Sequence, residues 1–389
     1  MPANAVFEFR LPRAIFTGPG SLGRLGEQAK ALGVRKALVV TDAKLHRLPY
    51  VDQARQSLAD SGVESEVFEG VTIEPIEPDI VAGVAALRAG ECDGVIAVGG
   101  GSSIDVAKAV AVVASSGGRM PDYEGANRIS GRQAPLIAVP TTAGTGSEVT
   151  RNTIITDVER DVKMLIQSPW LIPDVAIVDP LLTLSLPPDV TMATGIDALT
   201  HAIEAYVSRR AQPITDALAL EAIRLIAGNL RQAWANPDDL DARSAMARAA
   251  LVAGMAFGNS SVALVHGMAR PLGAHFHLSH GLSNACILAV VMEYSLVGNP
   301  PRFADIAEAM GELVDDLSLM DAARRSVDAV RRLCDDVGVP TLSGAGVNVA
   351  RLRELAPKMA ADAIASGSPG NNPRRASVED IVALYEKAV

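Results

Sequence analysis

Four of the chain's six histidines stand within sixteen residues, HGMARPLGAHFHLSHG (266–281): His266, His275, His277 and His280. Imidazoles packed that densely suggest a metal ion, yet an ion does not want all four. A second stretch, GIDALTHAIEAY (195–206), puts Asp197 and His201 at i and i+4, on one face of a helix, where both can reach one cation. Alone, such a pair reads as a surface or core contact. The second cluster changes that reading. His266 follows an apolar helical run, and His280 begins a turn with Gly281. A chain expected to break at Pro271 and Gly273 folds back and brings the two imidazoles to one point. One carboxylate and three neutral imidazoles suit Fe(II), Zn(II), Mn(II) or Co(II). An ion so held keeps an open position for a substrate oxygen, as Lewis-acid catalysis needs.

These residues must be positioned by the elements around them. The first half of the chain alternates short β-branched runs, KALVVTD (36–42), SEVFEGV (65–71), GVIAVGGG (94–101) and APLIAVPTT (134–142), with helical stretches such as 79–92 and 102–116. Strand–helix alternation with apolar strands predicts right-handed crossovers and a parallel sheet. Further strand-like pieces are RNTIITD (151–157), KMLIQS (163–168) and VAIVD (175–179). From about residue 190 the chain becomes Ala-rich with helical periodicity and shows no convincing strand. The expected organisation is an α/β domain over residues 1–187 and an all-helical domain over 188–389. SGSPGNNPRRAS (366–377) reads as an ordered or mobile loop before one last helix.

AVGGGSSIDVAKAV (97–110) places three glycines between a strand and a helix. Glycine lets backbone approach a ligand closely, and Ser102 or Ser103 can cap the helix, whose N-terminal amides then favour a pyrophosphate. The pattern is not GxGxxG, so an ordinary tight turn stays open as an alternative. A second polar turn, PTTAGTGSE (140–148), follows the next strand, and two such turns at neighbouring strand ends would flank one crevice. Asp42 ends an earlier strand. It can accept hydrogen bonds from a ribose diol and would repel a 2′-phosphate, favouring NAD over NADP, or it can simply cap a helix.

Composition narrows the partners. The net charge is −10, 49% of residues are hydrophobic and 21% are charged, a globular balance that argues against nucleic acid or an anionic membrane. Cys92, Cys286 and Cys334 are widely spaced and form no CxxC, which fits a reducing cytoplasm. MPANAVFEFRLPRAIF (1–16) lacks the pattern of a signal peptide, and no apolar run looks long enough to span a bilayer.

GGGSSIDVAK (99–108), PTTAGTGSE, GIDALTHAIEAY and HGMARPLGAHFHLSHGLSNA (266–285) together resemble the iron-containing (group III) alcohol dehydrogenases. The likeness runs nearly end to end, from FTGPGSLGRLGE (16–27) through the helical part. It implies a Rossmann-like NAD(P) domain, a helical metal domain and an active site in the cleft between them. Carried over by position, the ligands are Asp197, His201, His266 and His280. The cofactor contacts are Asp42, Gly100, Gly101, Ser102, Asp105, Thr141, Thr142, Thr145 and Lys163. His275 and His277 are then packing or surface residues, with His277 the better placed to face the cleft.

One position departs from the family. Many members read HGMAH, with a second histidine thought to relay the proton, where this chain has Arg270. Arginine stays protonated and can neither shuttle a proton nor ligate a metal. Arg270 is expected to form a salt bridge to a carboxylate of the helical domain, to fork onto a carboxylate or phosphate of the substrate, or to hold cofactor or water. The proton then travels through water, the ribose hydroxyl or His277, which makes Arg270 and His277 the catalytic candidates.

The activity implied is metal-assisted hydride transfer between NAD(H) and a small primary alcohol or aldehyde, neutral or carboxylate-bearing, with Fe(II), or Zn(II), as the ion. Phe257, Val262 and residues around Leu278 would line an apolar pocket. Alternatives are a dehydroquinate-synthase-like lyase, a maleylacetate-reductase-like or glycerol-dehydrogenase-like enzyme, and a non-catalytic nucleotide-binding protein. The N-terminal FEFRLPRAIF could pair with its counterpart in another subunit, so a homo-oligomer is expected.

Overall fold

The computed structural model describes residues 6–160 and 162–389. The first five residues of the segment read as lacking a signal peptide lie outside the described residues. Two compact units form, one of residues 9–185 and one of residues 186–389 together with 6–8.

In the first unit the strands are β1 (Ala14–Thr17), β2 (Lys36–Val40), β3 (Glu64–Phe68), β4 (Gly94–Gly99), β5 (Gly125–Ala126), β6 (Leu136–Pro140), β7 (Asn152–Asp157), β8 (Val162–Gln167) and β9 (Val175–Val178). The helices are α1 (Leu25–Ala31), α2 (Pro49–Asp60), α3 (Glu77–Ala89) and α4 (Gly101–Ser116). Six strands make one wholly parallel sheet in the order β1-β9-β6-β4-β2-β3. Both faces are covered, so its central strands are apolar throughout rather than alternating. Leu38, Val40, Val95 and Ala97 meet Ile80, Val84, Ile104 and Val110 of α3 and α4. The intervening Ala37, Val39, Ile96 and Val98 meet Leu25, Val51, Ala54 and Leu58 of α1 and α2.

The later strand-like pieces do not all join this sheet. β7 and β8 pair antiparallel and, with β5, make a separate three-stranded sheet. The cause is visible in β7, whose residues alternate between half-buried and buried, the pattern of a strand covered on one face only.

In the second unit the helices are α5 (Pro188–Val207), α6 (Pro213–Ala235), α7 (Leu240–Asn259), α8 (Leu264–Phe276), α9 (His280–Ser295), α10 (Pro300–Ala309), α11 (Leu319–Asp336), α12 (Val349–Ala365) and α13 (Val378–Lys387). α5 opens with Pro188 at its first position, where the missing N–H costs nothing. It buries 16 of its 20 residues and packs against α6, α7 and α9, so it is the core rod of this unit. The chain does not break at Pro271 or Gly273, as the sequence suggests. α8 carries Pro271 inside it, giving up one internal hydrogen bond, and ends at His277, which takes the left-handed conformation with φ 56°. One segment, His280–Gly298, is after all long and apolar enough by composition to cross a membrane, but 56% of it is buried within the unit, as expected of a core helix.

Candidate metal centre and glycine turn

Asp197, His201, His266 and His280 each offer one atom to a group lying within 4.8 Å of one another. α5 supplies the first two, one helical turn apart. α8 supplies His266 from its first turn, and α9 supplies His280 as its first residue. His266 Nε2 lies 3.0 Å from His201 Nε2, and Asp197 Oδ1 lies 3.7 Å from both His266 Nε2 and His280 Nε2. Asp197, His201 and His266 are buried, whereas the His280 side chain is 41% exposed. Burial alone would raise the Asp197 carboxyl, but His201, His280 and His266 hold it well below the usual carboxylate range, so it is anionic. A buried anion faced by ring nitrogens 3.0 Å apart is a set of acceptors short of a positive charge. This donor chemistry fits a divalent cation.

The surrounding residues orient that set. Glu204, two turns along α5 from Asp197, is buried. It accepts from the backbone N–H of Ala263 (2.8 Å) and Val265 (2.6 Å), and from His266 Nδ1 at 2.7 Å. The carboxylate therefore caps the N-terminus of α8. It also keeps the His266 proton on Nδ1, leaving the Nε2 lone pair facing the other ligands. Asn284, one turn after His280, donates from Nδ2 to Asp197 Oδ1 at 2.7 Å, with Nδ2 also 3.2 Å from His266 Nε2 and 3.3 Å from His280 Nε2. Phe257 stacks on His201 with centroids 4.1 Å apart and planes 12° from parallel, closing one side with an apolar surface. Sequence reasoning missed Glu204 and Asn284. Their signals were helical spacing, seven residues after Asp197 and four after His280.

The other histidines lie elsewhere. His275 Nε2 is 4.0 Å from Asp362 Oδ2, and His277 is exposed at the end of α8. Arg270 does not make the expected salt bridge: among the described residues no carboxylate pairs with it. Its Nη1 donates to Ser368 Oγ at 2.9 Å. The acid that acts on it through space, Glu204, is already engaged by His266 and the α8 amides.

In the sheet unit the glycine turn joins β4 to α4. Gly100 precedes the helix in extended conformation, and no side chain caps α4. The expected cap is corrected, because Ser102 Oγ donates instead to the Ile73 carbonyl at 2.6 Å. That leaves the first amides of α4 without a side-chain acceptor, as an anion site requires. β4 and β6 are neighbours in the sheet, so the turn beyond each lies beside the other. A Cβ on Gly101 would come within 2.8 Å of Thr145 Cγ2, and one on Gly100 within 3.5 Å of Thr142 Cγ2. Thr141 is buried and donates its N–H to the Gly99 carbonyl.

Three other expected cofactor residues are already engaged. Asp42 Oδ1 accepts from the N–H groups of Lys44 and Leu45, the capping role left open above. Asp105 accepts from Ser147 Oγ at 2.7 Å and Ile154 N at 3.0 Å. Lys163 Nζ pairs with Glu74 Oε1 at 2.8 Å. Lys108, which sequence reasoning passed over, is 1% exposed and donates to Ser147, Thr150 and Asn152.

A parallel-sheet unit with a glycine turn, and a helical unit in which one aspartate and three histidines converge, are the features of a metal-dependent dehydrogenase. Comparison with known proteins agrees. Residues 12–180 match the family described as "Iron-containing alcohol dehydrogenase", and residues 191–389 match "Fe-containing alcohol dehydrogenase family, C-terminal". The chain is 42% identical over 386 residues to a 1,3-propanediol dehydrogenase of Klebsiella pneumoniae, covering 98% of this chain and 99% of that one. It is 40% identical to an NAD-dependent methanol dehydrogenase of Bacillus methanolicus, covering 98% and 99%. A crystal structure of a 1,3-propanediol oxidoreductase superposes with a TM-score of 0.97 at 42% identity, covering 99% of this chain and all of that one. The chain belongs to the iron-containing alcohol dehydrogenase family and is an NAD(H)-dependent alcohol/aldehyde oxidoreductase.

Proposed function

We propose that the protein interconverts a small primary alcohol and its aldehyde with NAD(H), using Fe(II) held by Asp197, His201, His266 and His280. The convergence of these four side chains, three of them buried, is the observation that carries this reading. An ion bound there supplies Lewis acidity toward a substrate oxygen. Every other part of the mechanism falls to the protein. Glu204 holds the proton at His266 Nδ1, and Asn284 holds Asp197 Oδ1. Phe257 keeps water from one side of His201 and offers apolar surface to a short carbon chain.

Gly100, Gly101 and Ser102, with Thr141, Thr142 and Thr145, are assigned to the cofactor diphosphate, since the α4 amides and the close-packed turns favour an anion there. Asp42 is assigned to the ribose diol, which favours NAD. Lys163 would reach the cofactor by leaving Glu74. Asp105 acts through Ser147 and β7, which it holds. Arg270 cannot carry a proton, so exposed His277 is assigned the exchange with solvent. A cytoplasmic homo-oligomer is the proposed working state.

The test is anaerobic reconstitution with Fe(II) or Zn(II), followed by NADH oxidation with aldehydes. Turnover abolished by a chelator and restored by Fe(II) supports the reading. Equal turnover in the metal-free protein overturns it.

A further inference from the structure

Arg270 is a half-buried cation whose protein partners do not use its capacity. It lies on α8 one turn beyond His266, on the same face, and a helical side chain leans back toward its N-terminus, here toward His266. Of its five N–H groups, one at Nη1 donates to Ser368 Oγ, and Nε is buried with no acceptor. A guanidinium stays charged even in such a place, and a charge partly withdrawn from water with no carboxylate paired to it is costly. Asp197 and Glu204 carry −2, so a divalent ion bound beside them would leave Arg270 as an excess +1.

The surroundings are built rather than incidental. Ser368 begins the turn Ser368–Asn371, which is fastened to the entrance of α8 from both ends. Asn371 Nδ2 donates to Ser261 Oγ at 2.8 Å and to the Val262 carbonyl. Pro369 packs so closely on Gly267 that a Cβ there would come within 2.7 Å of its ring. Ser368 is 6% exposed, accepts from Arg270, and keeps a hydroxyl proton to donate.

We propose that Arg270 and Ser368 form an anion subsite that takes the carboxylate of a hydroxy acid or aldehyde acid whose far end reacts at the metal centre. This rests on the oxidoreductase reading above. One helical turn separates His266 from Arg270, a rise of ~6 Å, which suits a chain of about three or four carbons. The guanidinium fork and the hydroxyl together bind both carboxylate oxygens. The reaction is unchanged: the carbonyl carbon gains the hydride of NADH and its oxygen a proton from solvent, giving the hydroxy acid and NAD+.

The test uses full-length, metal-loaded protein in two arms. Calorimetry compares 3-hydroxypropanoate with its neutral amide, in wild type, Arg270→Gln and Ser368→Ala. Kinetics compare 4-oxobutanoate with butanal. The wild type is expected to bind the acid more tightly and to reduce the aldehyde acid with the higher kcat/KM. Arg270→Gln is expected to weaken acid binding on the order of 100-fold and to lower the acid-to-neutral kcat/KM ratio equally, through KM. Ser368→Ala is expected to show a smaller loss of the same kind, which guards against a folding defect in the first variant. Acid binding that both variants retain at wild-type strength, or an unchanged ratio, overturns the subsite. Acid binding through Arg270 with no turnover of any aldehyde upholds the subsite and overturns the function. Turnover of both aldehydes with no dependence on Arg270 does the reverse.

Discussion

Glu204 Oε2 lies 2.7 Å from His266 Nδ1, so one carboxylate decides which imidazole nitrogen faces the other ligands. The same carboxylate caps the first amides of α8, which means that ligand orientation and helix placement are not separable. Glu204→Gln puts an amide N–H against those backbone donors and removes the charge behind His266. Metal affinity is expected to fall about 10- to 100-fold, read by competition with a chromogenic chelator. The orphaned donors should also lower stability by about 1–3 kcal/mol in urea unfolding. Unaltered affinity would show that Glu204 only caps the helix.

Gly281 follows His280, and a Cβ there would lie 2.5 Å from the Ala193 carbonyl oxygen of α5. That contact is with backbone and cannot be relieved by turning a side chain. Gly281→Ala should push the start of α9 away from α5 and carry His280 from Asp197. The expected result is metal loss during dialysis from a variant whose metal-free form still unfolds cooperatively. Full metal content after dialysis would refute the argument.

How far the sequence foretold this site depends on whether a residue acts alone or through a distant segment. The convergence of Asp197, His201, His266 and His280 was legible in their residue types, in the i, i+4 spacing of the first two and in the family resemblance, although the break expected between His266 and His280 is absent. Glu204 was not, because its role exists only once α8, some sixty residues later, brings its amides to it. Asn284 likewise acquires meaning only beside Asp197. The break assigned to Pro271 followed a sound local rule, but α8 tolerates one missing hydrogen bond within a packed unit and ends at His277. Alternation of strand and helix correctly indicated the parallel sheet. It could not show that β7 and β8 leave it, since pairing direction is not written in a single strand. The Ser102 cap failed for a similar reason, because a loop carbonyl at Ile73 offered a nearer acceptor.

Glu148 and Lys108 are both buried in the sheet unit and act on each other through space. Burial pushes the Glu148 carboxyl up to about 7, against the pull of Lys108, and burial pushes Lys108 down to about 8 against Asp105 and Glu148. A raised carboxyl stabilises fully below its ordinary value near 4.5, and that contribution is lost as pH rises through about 7. The lowered Lys108 contributes above 10.5, and its contribution is lost as pH falls through about 8. Between about pH 5 and pH 8 the Glu148 loss dominates, so Glu148→Gln should make stability vary less over that window. Urea titrations across that window check this, and an undiminished slope would count against it.

Gly101 permits the β4–α4 turn to lie against Thr145, where a Cβ would stand 2.8 Å from Cγ2. Gly101→Val should displace the 140–148 turn and raise the Kd for NADH at least tenfold, measured by quenching of nucleotide fluorescence. The candidate metal ligands all belong to the other unit, so metal content serves as the control. An unchanged Kd for NADH would mean that the cofactor does not use this turn.

The four candidate metal ligands come from three helices and from positions 197 to 280. An ion held by all of them therefore works as a removable cross-link, joining segments that an unfolded chain would let drift apart. Free energy of binding then becomes free energy of folding: at a free ion concentration about 100 times Kd, the native state gains about 2.7 kcal/mol. Heat resistance would thus rise with the logarithm of the ion supply, and a cell starved of that metal would lose the protein to its proteases as well as losing the chemistry.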